Sequence, residues 1–192
     1  MNENLKGTKT EQNLINAFAG EAQARNRYTY YANAAKKEGY EQVSAIFLET
    51  AENELEHARI FYSYIIQNPL AHVDSFYPFE LGTTEENLSS AIAGETEEFE
   101  VLYKEAEQTA REEGFESIAN SFHYVRIAEE HHAKRYKHLY ETVCKNTVFA
   151  KDSETTWICR KCGYVCKNSA APEYCPNCFH PQNYFQVLCE KY

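Results

Sequence analysis

Two kinds of short motif in this chain could hold metal by their spacing. Glu54-x-x-His57 and Glu129-x-x-His132 each set a carboxylate and an imidazole three residues apart, on one face of a helix. Cys159-x-x-Cys162 and Cys175-x-x-Cys178 offer four thiolates in two knuckles, a tetrahedral site for zinc or iron. Thiolate chemistry alone does not choose between those metals. One Glu-x-x-His in a helical chain is a weak sign, so the weight rests on its recurrence. His72, His123, His138 and His180 lack such partners and read as structural.

That recurrence is part of an internal repeat. Ala19-Gly20-Glu21 returns as Ala93-Gly94-Glu95, and Glu38-Gly39-Tyr40-Glu41 as Glu113-Gly114-Phe115-Glu116. Glu54-Leu55-Glu56-His57-Ala58 returns as Glu129-Glu130-His131-His132-Ala133. The offset grows from 74 to 75, so the second copy has gained one residue. Each copy reads as a helical hairpin, with helices expected over 9–37, 41–67, 84–112 and 116–145. Thr8-x-x-Glu11 and Thr83-x-x-Glu86 are capping-box patterns, and Gly39 and Gly114 can end helices in the left-handed conformation. The fifteen residues from Asn68 to Gly82 reach at most about 50 Å when extended. A 27-residue helix is roughly 40 Å long, so this segment can cross the length of a bundle. Leu70, Val73, Phe76, Tyr77, Phe79 and Leu81 predict that it packs there.

The repeated residues fall where a core should be. The expected buried rows are Leu14, Ala17, Glu21, Tyr28 and Tyr31 on the first helix, and Val43, Ile46, Phe47, Glu54, His57, Phe61 and Ile65 on the second. They continue as Leu88, Ile92, Glu95, Glu98 or Phe99, and Leu102 on the third, and Ile118, Phe122, Val125, Glu129, His132, Tyr136, Leu139 and Val143 on the fourth. Every helix carries a glutamate at mid-length on its inner face, and Arg25 is the nearest base, at the stripe's edge. Burying a lone carboxylate is costly, so these groups are paired, protonated or bound to metal. One Glu from each of two helices and Glu-x-x-His from each of the others is the donor set of dinuclear carboxylate bundles. Glu98, a turn beyond Glu95, reads either as a rim glutamate or as a seventh ligand. Tyr28 and Tyr103 are placed to bond ligand carboxylates. Glu52, Glu56, Glu130 and His131 fall off the rows and read as solvated.

Past Thr147 the helical period stops, and a polar stretch to Thr156 reads as a linker. The expected domains are 1–147 and 148–192, the second a small metal ribbon packed around Trp157, Tyr164, Tyr174 and Phe185. Cys144, Cys166 and Cys189 read as free thiols. Seven cysteines without an export signal argue for metal rather than disulfides. The formal charge of −10 disfavours nucleic acid as a partner. No apolar run is long enough for a membrane span, so the expected location is the cytoplasm.

This order of parts resembles the rubrerythrin family over nearly the whole chain. The resemblance implies a mainly α, ferritin-like four-helix bundle with a long crossover between helices two and three, then a rubredoxin-like ribbon. It implies a bundle ligand set of Glu21, Glu54, His57, Glu95, Glu98, Glu129 and His132 holding two oxo- and carboxylate-bridged irons. A third iron, or zinc, would sit on Cys159, Cys162, Cys175 and Cys178. In the family, the residue matching Glu98 binds one iron when oxidised, and the histidine matching His57 replaces it on reduction; Tyr28 and Tyr103 match outer-layer tyrosines. The implied activity is reduction of hydrogen peroxide to water in oxidative-stress defence. Electrons would come from an external NAD(P)H-linked reductase or rubredoxin and pass between subunits of a head-to-tail homodimer. An iron-oxidising protein would use the same bundle but leave the tail site without a role. A zinc-tailed structural or interaction protein would leave the core glutamates unexplained. One departure stands out: the second knuckle has Phe179 where the first has Gly163. A positive φ at Phe179 would be strained.

Overall fold

The computed structural model describes residues 5–66 and 70–190. Helices α1 (Lys9–Lys37) and α2 (Glu41–Ile65) form the first hairpin. The second runs through α3 (Thr84–Glu97), a π-helical turn (Glu98–Leu102), α4 (Tyr103–Glu112) and α5 (Glu116–Cys144). Gln67, expected to end the second helix, and Asn68 and Pro69 of the crossover lie outside the described residues.

Gly39 and Gly114 end the first helix of each hairpin with φ of 86° and 83°, the left-handed conformation that glycine adopts without a Cβ clash. Thr83 and Glu86 make the full reciprocal capping box. Thr8 accepts from the Glu11 amide, while the Glu11 carboxylate takes the Gly7 amide instead. The repeated Glu-Gly pairs have a second use. Glu113 accepts from the Thr10 amide and hydroxyl at 2.9 and 2.6 Å, and Glu38 accepts from the Thr84 amide at 3.1 Å. Each hairpin thus places a carboxylate at the N-terminus of the other, where free amides and the helix dipole favour negative charge.

The expected third helix is not continuous. A π turn takes one more residue per turn than an α turn, and it lies where the second copy of the repeat has its extra residue. The turn absorbs that residue and returns Tyr103, Ala106 and Ala110 to the core. Leu102, assigned to the core row from its spacing, is instead 44% exposed, because the spacing argument assumed an unbroken α period.

The core lies in two apolar plugs. One centres on Leu14, Phe61, Tyr103, Ile118 and Phe122, the other on Tyr28, Tyr31, Phe47, Leu88 and Tyr136. The buried carboxylates fall between them. The crossover corrects the sequence expectation: Leu70, Phe76 and Phe79 are more than nine-tenths exposed, and Val73 and Leu81 also face outward. It is held mainly by polar contacts to α1. Gln12 and Asn16 donate to the carbonyls of His72 and Asp74, and the Tyr77 hydroxyl donates to the Asn16 carbonyl at 2.8 Å.

The C-terminal part is a three-stranded antiparallel sheet in the order β2 (Val165–Ala170), β1 (Ala150–Cys159), β3 (Phe185–Val187). The stretch expected as a linker is therefore the first half of β1, with Ala150 paired to Ala170 across an irregularity. Trp157 and Phe185 are buried and Tyr164 packs against them, but Tyr174 is 60% exposed. The ribbon meets one end of the bundle. The Phe149 and Tyr40 rings stack at 6.3 Å, and a Cβ at Gly39 would lie 3.6 Å from Cβ of Asn183.

Candidate metal centres

The mid-bundle layer joins residues from all four rods. Among the described residues two four-donor groups form: Glu21, Glu54, His57 and Glu129, and Glu54, Glu95, Glu129 and His132, each with ligand atoms within 4.8 Å of one another. Glu54 and Glu129 belong to both, as bridging carboxylates must. Glu21 and Glu95 belong to one each, as terminal ligands would.

Nδ1 of His57 lies 2.8 Å from Glu54 Oε2 and 2.9 Å from Glu129 Oε1. Nδ1 of His132 lies 2.8 Å from Glu129 Oε2 and 3.4 Å from Glu95 Oε2, while its Nε2 faces Asn53 Oδ1 at 3.2 Å. Asn53, which no sequence pattern singled out, fixes that ring from behind. The two tyrosines bond across the hairpins rather than within them. The Tyr28 hydroxyl donates to Glu95 at 2.5 Å, and the Tyr103 hydroxyl to Glu21 at 2.5 Å.

Without metal the layer is electrostatically frustrated. Burial and the neighbouring Glu54 and Glu129 push Glu95 up to about 8. Burial, then Glu129 and Glu54, raises Glu21 well above the carboxylate range. Burial opposes charge on the imidazoles too, but hydrogen bonds to Glu129 and Glu54 outweigh it and raise His57 to about 10. His132 rises to about 12 by the same contest. Glu129, facing both histidines, overcomes its own burial and falls to about 2. Glu54 Oε1, Glu95 Oε2, both Glu129 oxygens and His132 Nδ1 are buried away from water, close to one another but without a well-directed hydrogen bond. Such orphaned donor atoms are costly unless a cation takes them, so the residues fit two metal ions.

Glu98 stands beside these groups rather than in them. Burial and the charges of Glu95, Glu129 and Glu54 raise its pKa well above normal, and it opens on a cavity shared with Tyr77 and Tyr103. Arg27 is a buried base that the sequence rows did not include. It is 7% exposed and lies over the Tyr28 ring at 5.5 Å. Arg25, expected at the edge, faces the exposed Glu52 at 3.8 Å.

In the ribbon, Cys159 and Cys178 Sγ are 3.7 Å apart, and Cys162 and Cys175 Sγ are 3.6 Å apart. Those are too long for disulfides and match the edge, about 3.8 Å, of a tetrahedron with metal–sulfur bonds of about 2.3 Å. All seven cysteines are free, including Cys144, Cys166 and Cys189. The Tyr164 amide, bonded to the Cys162 sulfur, lowers that thiol to about 6. Phe179 takes φ of 60°, the strained value its place in the knuckle demands. In return the His180 amide makes the matching bond to Cys178. His180 packs edge-on against Tyr184, and His123 faces Glu107; neither joins a ligand group.

Comparison with known proteins agrees with this geometry. The Rubrerythrin family profile matches residues 12–140, and the rubredoxin-like domain of rubrerythrin matches 157–186. The chain is 48% identical to Rubrerythrin-1 of Clostridium acetobutylicum, over 98% of both chains. It is 47% identical to rubrerythrin of Porphyromonas gingivalis, over all of this chain and 96% of that one. Among solved structures, nigerythrin in a partially reduced state superposes with a TM-score of 0.65 at 32% identity, covering 97% of this chain and 89% of the other. Bacterioferritin BfrA of Mycobacterium tuberculosis reaches 0.64 at 19% identity, covering 73% of this chain and 90% of that one, and shares the bundle fold.

Proposed function

Because the chain belongs to the rubrerythrin family, we propose that it is a peroxidase that reduces hydrogen peroxide to water in the cytoplasm. The observation that carries this reading is the pairing of a buried, unsatisfied six-donor layer with a four-thiolate ribbon in one chain. On this reading residues 1–147 are the di-iron bundle and 148–192 the one-iron ribbon. Iron storage would leave the ribbon idle, and a zinc scaffold would leave the buried carboxylates unexplained.

Glu54 and Glu129 would hold both irons, Glu21 with His57 one of them, and Glu95 with His132 the other. Two ferrous ions held by these residues would each supply one of the two electrons that reduction of an O–O bond consumes, so neither would need to pass beyond the ferric state. Tyr28 and Tyr103 hold the terminal carboxylates in place, and the two apolar plugs exclude bulk water from either end. Glu98 faces the cavity and has a raised pKa, which suits it to carry a proton to the departing oxygen. It would also take the place of His57 at one iron when the site is oxidised; the arrangement with His57 inside the donor group and Glu98 outside supports that exchange.

Electrons would enter at Cys159, Cys162, Cys175 and Cys178 from a rubredoxin or an NAD(P)H-linked reductase. The ribbon meets its own bundle at Gly39 and Tyr40, and Glu54 lies roughly 20 Å farther along α2 at 1.5 Å per residue. That distance favours delivery to a partner's bundle in a head-to-tail dimer. Mixing Glu54→Ala/Glu129→Ala protein with Cys159→Ala protein tests this: verified heterodimers that recover no activity rule out cross-subunit delivery. The function itself is tested on anaerobically purified protein with iron and zinc counted. Fast reoxidation of the reduced protein by one peroxide addition, with slow reoxidation by air, is expected. Zinc in the ribbon and inertness after iron reconstitution would overturn the proposal.

A further inference from the structure

The repeat gives the metal layer two matching flanks, one beside Gly94 and one beside Gly20; the groove beside Gly94, about 730 Å3, is lined by none of the six donors and not by Glu98. Buried Arg27 stands against Gly94, its Nη2 3.6 Å from where a Cβ at position 94 would stand. Aligning Tyr28 with Tyr103 sets Arg27 opposite Leu102 in the other copy. Leu102 turns outward at the π turn, and beside Gly20 a cavity of about 170 Å3 remains, lined among others by Asn16, Gly20, Tyr77, Glu98, Leu102 and Tyr103. At about 30 Å3 per water, a volume of 170 Å3 admits a few molecules the size of hydrogen peroxide; a cavity of about 150 Å3 can hold a benzene ring, so selection against larger hydroperoxides falls to the residues that line the way in rather than to volume.

Its floor and roof are both defined. Glu98 and Tyr103 form the floor, and Tyr103 is itself bonded to Glu21. Tyr77 of the crossover is the roof. A Cβ at Gly20 would meet Tyr77 Cε1 at 3.5 Å and Glu98 Oε1 at 4.0 Å, so any side chain here would stand between roof and floor. The roof is pinned by the Tyr77 hydroxyl on the Asn16 carbonyl and by two-way bonding between Asn16 and the backbone of Asp74. Asn16, Asp74 and Ser75 line the cavity with polar groups able to bond a hydroperoxide.

We propose that this cavity is the entry route of hydrogen peroxide to the metal layer, and that Tyr77 and Gly20 limit entry to the smallest hydroperoxides. The inference rests on the peroxidase reading and adds its specificity. The test uses full-length, iron-loaded protein, reduced and mixed with hydrogen peroxide or cumene hydroperoxide. Azide binding to the oxidised protein, followed in the visible spectrum, gives a second readout. Gly20→Leu fills the cavity and is expected to slow both hydrogen peroxide and azide about tenfold or more, with iron content and melting temperature kept. Ala93→Leu, which puts the same side chain into the groove beside Gly94, is expected to leave both rates alone. Tyr77→Ala removes the roof and should speed cumene hydroperoxide about tenfold relative to hydrogen peroxide; it carries the test if Gly20→Leu misfolds. Unchanged rates in Gly20→Leu, or unchanged selectivity in Tyr77→Ala, would overturn the route while leaving a peroxide-reactive wild type as a peroxidase. A wild type inert to peroxide whose azide binding slows in Gly20→Leu would sink the peroxidase reading and keep the route.

Discussion

The two hairpins supply matching ligands, but the residues after those ligands differ. In the first copy Glu21 is followed by Ala24, Arg27 and Tyr28 on an unbroken α-helix. In the second Glu95 is followed by Glu98, Leu102 and Tyr103 across a π turn. Where the first copy buries a small alanine and sets an arginine against Gly94, the second places a carboxylate at a cavity. A symmetric scaffold would hold two metal ions equally well and offer no reason for substrate to choose a side. One added residue breaks that symmetry, and π turns recur at functional sites for this reason: they re-aim side chains without unfolding the helix.

Four experiments break or sharpen the comparison, taken from the largest expected effect down. Glu54→Ala or Glu129→Ala removes a donor shared by both groups and should cost both bundle irons, leaving the ribbon's iron. Glu21→Ala or Glu95→Ala should weaken chiefly one; metal counting by mass spectrometry separates the cases. Deleting Glu100 should turn the π turn into α-helix and make the second copy resemble the first. The bundle is expected to fold and keep its metals, while the second-order rate with peroxide falls by about tenfold or more, since Glu98 loses its aim. Equal rates before and after deletion would mean the π turn has no part in reactivity.

The third experiment concerns pH. In metal-free protein Glu95 is raised to about 8, and His57 and His132 to about 10 and 12. Groups with raised pKa hold extra protons in the folded state, so stability is greatest at low pH and falls as pH rises through that range. The melting temperature of chelator-treated protein should drop by ~5 °C or more between pH 5 and 9. Glu129, lowered to about 2, acts with the opposite sign only below the ordinary carboxylate range. Metal replaces the protons, so the loaded protein should show a much flatter profile. The smallest effect belongs to the ribbon, where Gly163 and Phe179 hold matching places with φ of 75° and 60°. Phe179→Gly should relieve about 1 kcal/mol of backbone strain, seen as later loss of the thiolate–metal absorption on heating.

Much of this was legible in the chain. Glu21, Glu54, Glu95 and Glu129 could be found because periodicity put charges in rows otherwise apolar, and buried charge demands a partner. The cysteine knuckles and Gly39 and Gly114 are local features, set by chemistry within a few residues. The gained residue was visible as a change of offset, but a count cannot say whether a helix absorbs it as a loop, a kink or a π turn. Packing decided that, because Tyr103 had to return to the core beside Phe61 and Phe122. The crossover misled for the opposite reason: its apolar residues predicted packing, but its anchors are polar bonds from Gln12 and Asn16. Contacts between distant residues stayed beyond the sequence altogether. The crossed bonds Tyr28–Glu95 and Tyr103–Glu21, the caps lent by Glu38 and Glu113, and the seating of Arg27 against Gly94 all depend on how separate helices meet. The sequence by itself determined which residues bear the charge and on which face. Only the tertiary structure decided what stands opposite each of them, because those partners lie tens of residues away and nothing local encodes the pairing.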